Sequence, residues 1–148
     1  MAAWILGPLL LVMAATQASD PAGFVDALVA YEVGGRAVAW PLAVLLVAGE
    51  LVGGLGLLSR SIEGRRLGGA VALAVAVLWS ALGVVAFARG LVLENCGCFG
   101  VHLAQPLRWW VLLQDAELLL LAFAARRRAR PPSGEPADTA ISRSFSAP

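Results

Sequence analysis

Cysteine occurs twice in this chain, at Cys96 and Cys98, with only Gly97 between them in "NCGCFG". Two thiols that close are too few for a zinc cage, which takes four ligands. They are also too near to staple distant parts of a fold, because a bridge between them closes almost no loop. Disulfides prefer Cα atoms about 5.5–6 Å apart with a defined torsion. Neighbours at i and i+2 meet that only over a bent backbone, and Gly97, lacking a Cβ, permits the bend. Strained, exposed disulfides are the ones that exchange. The spacing therefore suits a pair that opens and closes. Two blander readings compete: a surface turn without function, and a copper site, since Cu(I) accepts two thiolates. His102 follows closely and fits a loop residue better than a ligand. When protonated it would lower the pKa of a nearby thiol.

The second set of reactive groups is carboxylates in apolar surroundings. Glu50 lies near the middle of "VAWPLAVLLVAGELVGGLGLL", and Asp115 and Glu117 near the middle of "LRWWVLLQDAELLLLAFAA". A charge at mid-bilayer costs at least about 2.5–3.5 kcal/mol on insertion scales. The functional reading is a proton relay or a polar pocket. The structural reading is interhelical hydrogen bonding, helped by Gly49, Gly53, Gly54 and Gly56. Asp115 and Glu117 are two apart and point to different faces of a helix, so they do not form one paired site.

These groups must be positioned by membrane spans. The apolar fraction is 59%, only 14% of residues are charged, and mean hydropathy is +0.80. Soluble domains carry about 25% charged residues. A net charge of +1, all its cations arginine, gives no reason to expect nucleic acid. Four apolar blocks predict helices over about 1–18, 38–58, 68–88 and 107–125. The last three reach the roughly 20 residues that a span needs. The first is short, but it lacks the basic n-region of a signal peptide and reads as an uncleaved helix. "FVDALVAYEV", with Phe24, Leu28 and Tyr31 at helical spacing, predicts a short helix on the outer surface. Residues 129–148, rich in Pro, Ser and Ala, read as a disordered tail.

Arginine placement sets the orientation. Arg60, Arg65 and Arg66 crowd the middle loop, and "RRRAR" follows the last block. The segments around residues 19–37 and 89–106 have one arginine each, offset by acids. Both termini then face the cytoplasm, and the cysteines face the oxidising side, where disulfides persist. Trp40, Trp109 and Trp110 fall at the outer interface, where indoles prefer to lie.

An acidic residue in the second span, an arginine loop, Arg89-Gly90 before "NCGCFG", then "PLRWWVLLQD" from Pro106 to Asp115: this pattern resembles the methylamine utilisation protein MauE family, small four-helix membrane proteins of DoxX-like architecture. The resemblance spans roughly Ala22 to Arg128. It implies a membrane factor in the making of methylamine dehydrogenase, whose small subunit is rich in disulfides, and a thioredoxin-like partner. Carried over residue by residue, it reaches Cys96 and Cys98 and, less directly, Glu50 and Asp115. The first helix is shorter than the resemblance implies.

The expectation is thus an all-α, multi-pass plasma-membrane protein in the lipid bilayer. It has four transmembrane helices, with Cys96 and Cys98 as its redox residues and Glu50, Asp115 and Glu117 as a relay or polar pocket. It would act with a thioredoxin-like extracytoplasmic protein in the maturation of the methylamine dehydrogenase small subunit or another exported protein. The sequence fixes no cofactor and no metal. Quinone-linked thiol oxidases generally relay electrons through a second cysteine pair, and this chain has none. Either the single pair meets a quinone directly, or the protein positions a partner that is the oxidoreductase. The rival reading is a small transporter or copper-handling protein that uses the carboxylates or the cysteines.

Overall fold

The computed structural model describes residues 2–128, and the segment read as a disordered tail lies outside the described residues. Five helices follow one another: α1 (Ala2–Ser19), α2 (Pro21–Val29), α3 (Gly35–Leu58), α4 (Ile62–Ala88) and α5 (Trp109–Arg128). There is no strand among the described residues. The four long helices form a ring in which α3 packs on α1 and α4, and α5 packs on α4 and α1.

α1, α3 and α4 are long and apolar enough to cross a membrane, and the chain is a multi-pass membrane protein. α5 has the length but is more polar, carrying Asp115 and Glu117 and ending in arginines.

Glycine sets how closely the helices approach. A Cβ on Gly68 would lie 2.5 Å from the Gly56 carbonyl carbon, and one on Gly54 would lie 2.9 Å from the Gly7 carbonyl oxygen. Such contacts let backbones meet where lipid supplies no hydrophobic drive.

The arginine-rich connection is shorter than the charge pattern suggests. Ser61 caps α4, its Oγ accepting from Gly64 N at 3.0 Å. Glu63 lies in the first turn, where the helix dipole favours an acid. Arg65 and Arg66 therefore sit on α4 itself, and Arg65 donates to the Ser59 and Arg60 carbonyls.

At the opposite end the helices are uneven. The Gln17 side chain is hydrogen-bonded to Glu50, which puts the two at one level. α1 stops two residues later at Ser19, while α3 extends from Glu50 to Trp40 and beyond, a rise of ~15 Å to Trp40. α2 and the loop between α4 and α5 fill the space over the end of α1. Asp20 caps α2 by accepting from Gly23 N at 3.0 Å, with Pro21 in the first turn. Phe24, Val25 and Leu28 are buried, so α2 packs into the mouth of the bundle instead of lying on lipid. Two ion pairs, Arg36 with Asp26 and Arg89 with Glu32, hold the α2–α3 connection. Arg89 also donates to the Tyr31 carbonyl at 3.3 Å.

Candidate functional site: a recessed thiol pair above a buried polar network

The loop after α4 folds back on itself. Leu107 N donates to the Leu93 carbonyl at 2.9 Å, and Cys96 N to the Gln105 carbonyl at 2.7 Å. Asn95 brackets the cysteine turn from both sides. Its Oδ1 accepts from Gly97 N at 2.9 Å, and its Nδ2 donates to the Gly100 carbonyl at 2.8 Å. Gly97 has φ +81° and Gly100 φ +62°, left-handed values that glycine alone adopts freely. A Cβ on Gly100 would also lie 2.8 Å from the Thr16 carbonyl oxygen. "NCGCFG" is thus a tight turn lodged against the end of α1.

The turn holds the two sulfurs 3.4 Å apart, and both are free thiols. Joining them at a bond length near 2.05 Å needs a movement of roughly 1.4 Å. Cys96 is buried and Cys98 half-buried. The Cys96 thiol is lowered from about 9 to about 7, because its thiolate would accept the Cys98 S–H. The Cys98 thiol is pushed up, because Cys96 holds its proton and burial opposes a second charge. The pair gives up one proton readily and the next reluctantly.

Beneath the turn lies a polar network. Gln17 Nε2 donates to the Cys98 carbonyl at 2.9 Å and to Glu50 Oε1 at 3.2 Å. Trp79 Nε1 donates to the same Glu50 oxygen at 2.9 Å. Glu50 and Gln17 are fully buried. Glu50 Oε2 and Gln17 Oε1 have no partner among the described residues. From the other side, Tyr31 donates its hydroxyl to the Cys96 carbonyl at 2.7 Å. Burial pushes that phenol well above its ordinary value, so it stays a donor.

Asp115 is 7% exposed and faces Gly83, where a Cβ would meet its Oδ2 at 2.9 Å. It lines a cleft of about 200 Å³ between α1 and α5 that also reaches Cys98, Trp79 and Glu117. Glu117 is exposed. His102 is exposed, its Nε2 2.8 Å from Ser19 Oγ. No cluster of three or more His, Cys, Asp or Glu side chains suited to a metal occurs among the described residues.

Cys96, Cys98, Glu50 and Asp115 are therefore grouped, and Glu117 stands at the cleft's rim. Sequence reasoning missed Gln17, Tyr31, Trp79 and Asn95. Gln17 left a signal, as an amide near the end of an apolar helix. Asn95 did too, as a turn-former beside glycine.

These features define a small helical membrane protein with a recessed thiol pair over a buried Gln–Glu–Trp network. The chain belongs to the methylamine utilisation protein MauE family, whose model matches residues 1–126. Its role accordingly lies in methylamine utilisation. No curated protein and no solved structure gives a significant match.

Proposed function

We propose that the protein carries out thiol–disulfide exchange at Cys96 and Cys98 on the extracytoplasmic side of the plasma membrane. Its partner would be a thioredoxin-like protein, and the outcome disulfide maturation of the methylamine dehydrogenase small subunit or another exported protein. The observation that carries this reading is a pair of free thiols held 3.4 Å apart in one glycine turn, with Cys98 the less covered residue of the two. α5 would cross as a fourth span, with both termini in the cytoplasm.

In the oxidised form, a partner thiolate attacks Cys98 sulfur. A mixed disulfide forms and Cys96 leaves as thiolate. Leaving groups of lower pKa depart faster, and Cys96 is the lowered member. The second partner thiol then attacks the partner's own sulfur in the mixed bond and releases Cys98. The partner has lost two electrons and the Cys96–Cys98 pair has gained them.

Exchange is reversible, so in Cys96→Ser the Cys98 thiolate attacks the disulfide of an oxidised partner, and the mixed disulfide that forms has no Cys96 to expel the partner. Cys96→Ser should accumulate a reductant-sensitive complex with a thioredoxin-like protein on acid-quenched, non-reducing gels, and Cys98→Ser should not. Full function in the double serine variant would remove the thiols from the mechanism and put the transporter reading first.

A further inference from the structure

We propose that the cleft between α1 and α5 binds a lipid-soluble quinone, which reoxidises the thiol pair directly. This inference rests on the thiol-exchange reading and asks where the electrons go. Each partner oxidised leaves Cys96 and Cys98 as a dithiol, and the chain has no second cysteine pair to pass electrons on. An acceptor must therefore reach this pair.

The geometry selects the acceptor's class. The cleft lies between two helices of the bundle, its walls formed by Leu9 and Met13 of α1 and by Leu118 and Leu121 of α5. Its mainly apolar walls suit a ligand that arrives from the bilayer, not from water. Cys98 is part of the same lining, so a ring seated there lies against the residue that carries one of the two thiols. Asp115 also lines it, more than nine-tenths buried, and makes no hydrogen bond among the described residues. An unpaired buried carboxyl is costly unless something uses it. Beside a quinone oxygen it can pass protons. The volume of about 200 Å³ suits a single dione ring, with the apolar tail left in lipid.

The reaction balances. Two S–H bonds break and one S–S bond forms between Cys96 and Cys98. The two electrons and two protons end as the two O–H groups of a hydroquinone.

The test uses the full chain, reduced and reconstituted in nanodiscs, with decylubiquinone as oxidant. Loss of free thiol should be saturable in quinone and matched by quinol formed. Leu121→Trp and Gln114→Trp, which fill the cleft wall and its rim, should each slow this at least tenfold. Oxidation by hydroxyethyl disulfide should stay at the wild-type rate in both, which also shows that they are folded. An azido-quinone photolabel gives a readout free of variants and should mark Met13 or Leu121. Cleft-filled variants that react with quinone as fast as wild type, no saturable oxidation, or label confined elsewhere would each overturn the quinone site. In those outcomes, oxidation by hydroxyethyl disulfide keeps the exchange reading alive. If neither oxidant joins the thiols, that reading fails as well.

Discussion

At the scale of residues, one shared proton makes one thiol of a covered pair more acidic and the other less. Cys96 is covered, yet its thiol is lowered to about 7 by the Cys98 S–H, and Cys98 is raised in return. A lowered thiol is thiolate above its pKa. Alkylation of the reduced protein should therefore rise as pH climbs through about 7, well below the ordinary value of about 9. Cys98→Ala removes the hydrogen-bond donor and leaves the burial in place. The midpoint for the remaining Cys96 should then move upward by more than one pH unit, read as iodoacetamide rate against pH. An unchanged midpoint would mean that the S–H contact does not set the acidity. The closeness of the pair was legible from spacing alone, because a glycine between two cysteines lets the turn bring their sulfurs together. Its support was not. Tyr31 and Gln17 each donate to a carbonyl of the turn from 65 and 81 residues away, and no local pattern predicts such pairings.

At the scale of elements, apolar length made the four long helices visible, and end chemistry decided what length could not. α4 begins at Ile62, where Ser61 supplies the cap, inside a stretch whose arginines look like a loop. α2 turns inward because Phe24, Val25 and Leu28 have a bundle mouth to fill, a vacancy that only the short α1 creates. The crossing of α3 and α4 depends on two facing glycines. Gly68→Val should destabilise the protein by about 1–3 kcal/mol, as overpacking does, seen as a lower midpoint in detergent unfolding. A midpoint equal to wild type would show that the helices separate without cost. Glu50 tests the opposite kind of contact. In Glu50→Gln the side-chain oxygen can still accept from Gln17 and Trp79, so insertion and folding should be kept. If the carboxyl moves protons, maturation activity should fall at least tenfold, and Asp115→Asn should do likewise. Wild-type activity in both would reduce them to packing groups and end the relay reading.

At the scale of the whole molecule, arginine gathers more densely at the end that holds the α3–α4 connection than at the end that holds Trp40, Trp109 and Trp110, although Trp4 lies at the arginine end and Arg36, Arg89 and Arg108 at the other. Arg60, Arg65 and Arg66 lie around the α3–α4 connection, and Arg126 lies level with Gly69 of α4, where a Cβ would come within 3.2 Å of its Cα. Trp40 and Trp109 lie near the other ends of their helices, and Trp109 and Trp110 stack edge to face at 5.9 Å. Arginine is retained on the cytoplasmic side, and indoles favour the interface. The fold therefore predicts one orientation, with the thiol turn facing out. The test introduces single cysteines into a Cys96→Ser, Cys98→Ser background and adds a membrane-impermeant maleimide to intact cells. Leu103→Cys, at an exposed site in the loop with the turn, should label at once. Ser61→Cys, at the arginine end, should label only after permeabilisation. In the native protein Cys98 should label more slowly than Leu103→Cys, because α2 and the end of α1 enclose the turn. The reverse pattern, with Ser61→Cys labelled in intact cells, would place the thiols in the reducing cytoplasm. A disulfide there would not persist, and exchange with an exported partner would have no route.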